Sequence, residues 1–259
     1  MRSATRSTVL TDSHAHLSAP PLFDDVAAIL ERAWRSHVRR IINISVDIES
    51  LDRGLALSKT HPWVFNAGAT HPHDTATKGE AEFEAFRKRA PELKAIGETG
   101  LDYHYDHSPR ETQKIFLARF LELAQESHLP VIIHCREAFS DFFDIFDRYA
   151  PLPGVLHCFT GTQEEARKVL DRGLFLSLSG IVTYKKSLEL QEIAQWLPLD
   201  RLLIETDAPF LAPRTERGKQ NEPSFLVETA QFIATLRHLP YDELAAATSA
   251  NAAKLFQLT

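Results

Sequence analysis

Cysteine is nearly absent: 259 residues contain two, Cys135 and Cys158. Each directly follows a histidine near the end of an apolar run, so both read as buried thiols. A disulfide framework is excluded, and a reducing, cytoplasmic setting is expected. No run approaches the roughly 18 apolar residues that cross a bilayer, which removes a membrane-spanning role. Excess positive charge is also missing. With a net charge of −6 the chain is no broad-faced duplex DNA binder, because such binding neutralises many phosphates. A local basic loop that holds one phosphate remains open. Low-complexity linkers and clear internal repeats are lacking too. Residues 1–8 carry two arginines but no apolar h-region, and are expected to form a flexible tail rather than an export signal.

What is present is an ordinary globular composition, 44% hydrophobic and 25% charged, which predicts a packed fold. Short apolar, β-rich segments recur at 9–12, 40–46, 63–69, 95–98, 130–134, 154–157, 174–177 and 202–206. Amphipathic stretches fall between them, at 24–36, 48–60, 80–89, 109–127, 138–149, 163–172 and 188–196. Eight strands alternating with helices predict a parallel sheet buried on both sides, closed as a (β/α)₈ TIM barrel over residues 9–259 as one domain. An open doubly wound sheet is the competing architecture. Ser108 with Glu111 and Thr162 with Glu165 have the spacing of capping boxes, and Gly173 suits the left-handed residue that closes a helix. The stretch 208–223 reads as the longest loop, and long loops in compact domains are usually functional.

The chemistry gathers at strand ends. Asp12, His14 and His16 alternate along the first strand and its exit, so an extended backbone points them to one side. Glu98, His134, His157 and Asp207 each follow an apolar run at the end of a later strand, where barrel enzymes build their sites. Any one of them could be an ordinary hydrogen-bonded polar residue. Six such groups at one rim, His14, His16, Glu98, His134, His157 and Asp207, instead suggest dications, since groups at a partly desolvated rim need partners. Four imidazoles and two carboxylates suit zinc, manganese or related ions better than calcium. Six ligands exceed the three that one catalytic zinc takes, so two ions bridged by Glu98 are expected, against one ion with a redundant outer shell.

Seven blocks in order, DSHAH (12–16), THPH (70–73), GETGLDY (97–103), HCR (134–136), HCFTG (157–161), ETDAP (205–209) and RGKQNEP (217–223), resemble the TatD family of metal-dependent deoxyribonucleases in the amidohydrolase superfamily. The resemblance implies a metallo-dependent hydrolase barrel with two divalent ions (zinc, manganese or magnesium) and 3′ to 5′ exonuclease trimming of DNA. It assigns His14, His16, Glu98 and Asp207 to one ion and Glu98, His134 and His157 to the other, with His71 on the phosphate side. The sequence departs from many relatives at Gln220 and in the variable segment 104–107.

Within that reading Asp207 is the candidate to orient a water and accept its proton, and Glu205, two positions earlier, is expected to hydrogen-bond a ligand imidazole. Arg217 and Lys219 are expected to clamp phosphate oxygens. Tyr103, Tyr105, Phe159 and Tyr184 fall in loops where a ring can stack on an unpaired base. The acidic chain suits a single-stranded 3′ end in a cleft, and a monomer is expected. Two other functions stay open: a hydrolase of a carbonyl or small phosphoester substrate, and a non-catalytic metal or nucleic-acid binding protein.

Overall fold

The computed structural model describes residues 8–258. Eight strands run in chain order around one parallel sheet: β1 Leu10–Ala15, β2 Val38–Ser45, β3 Val64–Gly68, β4 Ala95–Asp102, β5 Val131–Arg136, β6 Gly154–Leu156, β7 Phe175–Leu178 and β8 Leu202–Ile204. The ring closes where the segment after β8 meets β1. Asp207 N–H donates to His14 O at 2.9 Å, and His16 N–H to Ala208 O at 2.8 Å. The expected barrel is therefore what the chain forms, and the open sheet is excluded. Of the predicted tail, residues 1–7 lie outside the described residues.

Alternation along each strand sorts the core into two layers. Ile42, Ile44, Ala67, Ala95, Ile132, Val155, Phe175 and Leu203 cluster together, whereas their neighbours Ile41, Val131, Ile133, Leu156 and Leu176 join the larger cluster formed with the helices. The first set fills the barrel interior, which is packed rather than open. Ala252, Leu255, Phe256 and Leu258 join it and plug one end with the end of the chain. The same period of two carries the interior face from Ile132 to His134, from Val155 to His157, and from Leu203 to Glu205 and Asp207. Apolar residues thus fill one end of the bore and ligand-type residues the other.

Helices α1 Val26–Arg35, α2 Ile48–Thr60, α3 Gly79–Arg89, α4 Arg110–Ser127, α5 Phe139–Phe146, α6 Gln163–Asp171 and α7 Leu188–Trp196 correspond to the predicted amphipathic stretches. Two more, α8 Leu226–Leu236 and α9 Tyr241–Leu255, follow the long loop. Thr162 and Glu165 form the expected capping box on α6, and Gly173 follows that helix at φ +76°. Ser108 does not cap α4. Pro109 holds the N-cap position, and the Ser108 hydroxyl instead donates to His73 O at 2.7 Å and accepts from Ala76 N–H, tying the loops after β3 and β4 together.

The largest difference from the sequence reading is β4, which continues past residue 98 to Asp102. Its second half pairs Gly100 with His134 and Asp102 with Arg136 after a register shift between Ile96 and Thr99. Gly100 has φ +151°, and a Cβ there would lie 1.8 Å from the His134 carbonyl oxygen. Glycine is required for that close approach.

Candidate metal centre

Glu98 is the hub. The residue is 3% exposed, and its carboxylate faces five imidazoles. Oε2 lies 3.4 Å from His14 Nε2 and 3.7 Å from His16 Nε2, and Asp207 Oδ1 is 3.5 Å from both of those nitrogens. Oε1 lies 2.7 Å from His157 Nε2, 2.9 Å from His134 Nδ1 and 3.3 Å from His71 Nε2. Two groups of donors therefore flank one carboxylate, one on each oxygen. The six residues singled out as ligands from sequence all meet here.

The set fits divalent ions. His14 and His16 point Nε2 at each other at 3.2 Å, and His14 Nδ1 is buried without a hydrogen-bond partner. His14, His16 and Asp207 offer ligand atoms within 4.8 Å of one another, as do His14, Glu98 and His157. A cation among such converging lone pairs removes their mutual repulsion and satisfies several at once. Donors are nitrogen and oxygen only, the mix that suits zinc or manganese. Cys135 and Cys158 line the same cavity as free thiols, and burial pushes both well above the usual thiol range.

Surrounding hydrogen bonds decide which imidazole nitrogen carries a proton. His157 Nδ1 is 3.3 Å from Glu205 Oε1, and His134 Nε2 is 3.0 Å from Asp102 Oδ2. A carboxylate accepts, so each ring keeps a proton on that side, which leaves its other nitrogen, the one facing Glu98, available as a ligand atom. His71 differs. Its Nδ1 accepts the His73 backbone N–H at 3.1 Å, which leaves the proton of the neutral ring on Nε2. Desolvation pulls His71 down to about 4, so the ring is neutral and presents an N–H donor to the centre. His71, Glu98 and His134 also lie within ligand range of one another, but this tautomer makes His71 a donor rather than a metal ligand.

Three residues without an assigned role in the sequence reading hold the centre in place. Asp102, fully buried, accepts His134 and His73 on Oδ2 and the backbone N–H groups of His104 and Tyr105 on Oδ1. Burial alone would raise its carboxyl, yet the bonds from His134 and His73 hold it far below the usual range. Asp12 accepts Thr206 N–H at 3.0 Å and the Thr206 hydroxyl at 2.6 Å, locking the His14 strand to the Asp207 turn. Burial pushes Asp12 up to about 7. The signal for Asp102 was its place in the GETGLDY block. Nothing in the sequence marked His73 as its partner.

Substrate-side residues divide. A cavity of about 970 Å³ opens over the donors, lined by His71, His73, Tyr105, His107, Arg136, Ile181, Phe210 and Leu211 among others. Arg217 and Lys219 do not line it. Lys219 pairs with Glu216, and the Arg217 guanidinium lies over the Tyr184 ring at 5.0 Å. Of the four aromatic residues named from sequence, Tyr105 alone lines the cavity. Phe159 is buried in the core, and the Tyr103 hydroxyl bonds Asp141.

A (β/α)₈ barrel with imidazole and carboxylate donors converging at the C-terminal ends of its strands defines the metallo-dependent hydrolase class. The TatD-related DNase family model matches residues 11–257. The chain is 37% identical to the uncharacterized metal-dependent hydrolase YabD of Bacillus subtilis over 96% of this chain and all of that protein. It is 36% identical to the 3′-5′ ssDNA/RNA exonuclease TatD of Salmonella typhimurium over 91% of this chain and 93% of that one. The crystal structure of YjjV, a TatD homologue from Escherichia coli, superposes with a TM-score of 0.91 at 29% identity, covering 96% of this chain and 98% of that one. The chain belongs to the TatD-related DNase family of metal-dependent hydrolases.

Proposed function

We propose that this protein is a two-metal phosphodiesterase that trims single-stranded DNA from its 3′ end. The observation that carries the reading is the split of ligand-type atoms across the two oxygens of Glu98. The 3′-5′ ssDNA/RNA exonuclease TatD of Salmonella, 36% identical, supports the substrate class. When bound, two divalent ions would polarise a phosphoryl oxygen and lower the pKa of a water; as its oxygen bonds to phosphorus the P–O3′ bond to the preceding nucleotide breaks, and the departing O3′ takes a proton from solvent.

The residues of this chain do the rest. His14, His16, Glu98 and Asp207 hold one ion, and Glu98, His134 and His157 the other. Asp207 also takes the proton of the attacking water. Its backbone is tied to His14 through the bond to His14 O, so the base is fixed relative to the ligands. His71 donates a hydrogen bond from its Nε2 N–H to a phosphoryl oxygen as negative charge develops there, keeping its proton. Asp102 and Glu205 keep the ligand tautomers. Phe210, Leu211 and Ile181 form an apolar wall that sheds water from the reacting phosphate. Arg217 and Lys219, outside the cavity, meet phosphates further along the strand.

The test is purified protein on 3′-labelled single-stranded DNA with Mg²⁺, Mn²⁺ or Zn²⁺, beside Glu98→Ala. Metal-dependent loss of the 3′ label, abolished by chelator and by the substitution, is expected. Equal cutting of closed circular and linear DNA, or turnover indifferent to both controls, contradicts the reading.

A further inference from the structure

Beside the metal centre, on the β3–β5 side of the cavity, stands a group of flat side chains in which Tyr105, expected from sequence as a stacking ring, is joined by Arg136 and His107. Arg136 is two residues beyond His134 on β5, so it leaves the strand on the same side and reaches the cavity. It is the one arginine or lysine among the described residues that line the cavity, and it makes no ion pair with a described carboxylate. Neighbouring cations are engaged elsewhere: Lys78 with Asp47 and Asp74, Arg110 with Asp106. Through its pairing with Lys78, Asp74, the carboxylate at that wall, is itself offset.

The Arg136 guanidinium lies 4.9 Å from the centre of the Tyr105 ring. Tyr105 is 52% exposed, unusual for so large a ring, and His107 lies parallel to it within 5° at 5.5 Å. The loop that presents this surface is fixed. The Tyr105 N–H donates to Asp102 Oδ1 at 2.9 Å, and Asp102 is the carboxylate that orients His134. One residue therefore sets both the ligand ring and the aromatic surface beside it.

We propose that Arg136, Tyr105 and His107 form a nucleotide subsite: Arg136 takes a phosphate oxygen, and the base lies on the exposed Tyr105 and His107 rings. An unpaired guanidinium supplies the anion contact, and exposed rings supply a stacking surface that tolerates any base. The proposal rests on the nuclease reading and specifies where a nucleotide beside the cut phosphate sits.

Calorimetric titration of the Mg²⁺-loaded protein with dAMP tests it. Arg136→Gln is expected to weaken binding about tenfold, and Tyr105→Ala about tenfold, the lower range of a lost charged hydrogen bond and a lost base stack. Tyr105→Phe is expected to keep the wild-type affinity, a rescue that a collapsed loop would not permit. Failure of the wild type to bind dAMP, or binding within twofold in both weakened variants, overturns the subsite. The DNA assay separates the two claims. If the wild type trims DNA while both variants bind dAMP normally, the subsite alone falls; if dAMP binding follows the variants but no DNA is cut, the nuclease reading alone falls.

Discussion

Asp102→Asn is a nearly isosteric change that strikes at one ion. In the wild type, Oδ1 takes the backbone N–H groups of His104 at 3.0 Å and Tyr105 at 2.9 Å, while Oδ2 takes His134 at 3.0 Å and His73 at 2.9 Å. An amide has a single oxygen. The backbone donors cannot change, so that oxygen stays with them and the NH₂ turns toward the two rings. Each ring must then present a lone pair at Nε2, which moves the His134 proton to Nδ1, the nitrogen 2.9 Å from Glu98. That nitrogen no longer binds a cation. Loss of such outer support typically costs 10- to 100-fold in metal affinity, about 1.4 to 2.7 kcal/mol. Calorimetric titration of the apoprotein with Mn²⁺ is expected to show two binding events in the wild type. In the variant, one event should weaken by about that factor while the event at His14, His16 and Asp207 changes little. Two unchanged events would refute the tautomer argument.

Three other substitutions probe the scaffold. Asn221→Ala removes the amide that donates to Thr206 O at 2.8 Å and Phe210 O at 2.6 Å and accepts from Glu222 N–H; a loss of about 2 kcal/mol in urea unfolding is expected for the stranded groups. Gly100→Ala forces a Cβ onto the His134 carbonyl and should destabilise by about 3 kcal/mol or more, read as a lowered Tm or loss of soluble protein. Asp47→Ala removes the N-cap of α2 and should cost about 1 kcal/mol at pH 7. Burial alone would raise the Asp47 carboxyl, but hydrogen bonds from Ser50 and Lys78 outweigh it and hold it below its ordinary value. Its contribution is therefore present above the unfolded pKa of about 3.9 and lost as pH falls through the lower folded value, so the gap between wild type and variant should close in strong acid. A gap independent of pH would show that the charge is not involved.

Much of the fold was legible because barrel strands are apolar on both faces and announce themselves as short runs between amphipathic helices. The extension of β4 was not, since Gly97, Glu98 and Gly100 interrupt the run with residues poor in strand preference, and the pairing with β5 overrides it. The ligand residues could be read because each follows an apolar run on or just beyond a strand, where alternation fixes the direction of the side chain, although Glu98 stands in the middle of β4 rather than at its end. Arg217 and Lys219 show the opposite case. Their charge was plain, but in a loop neither direction nor partner follows from sequence, and Glu216 and Tyr184 engage them outside the cavity. Ser108 had the spacing of a cap and lost it to Pro109. Asp102 and His73 act through each other, a relation between residues 29 apart that no local pattern records.

The account depends most on Glu98 dividing two ions between its oxygens. Anomalous scattering from Mn²⁺-soaked crystals tests this directly. Two peaks about 3.5 to 4 Å apart are predicted, one beside Oε2 with His14, His16 and Asp207, the other beside Oε1 with His134 and His157. A single peak, or a pair remote from Glu98, would contradict it.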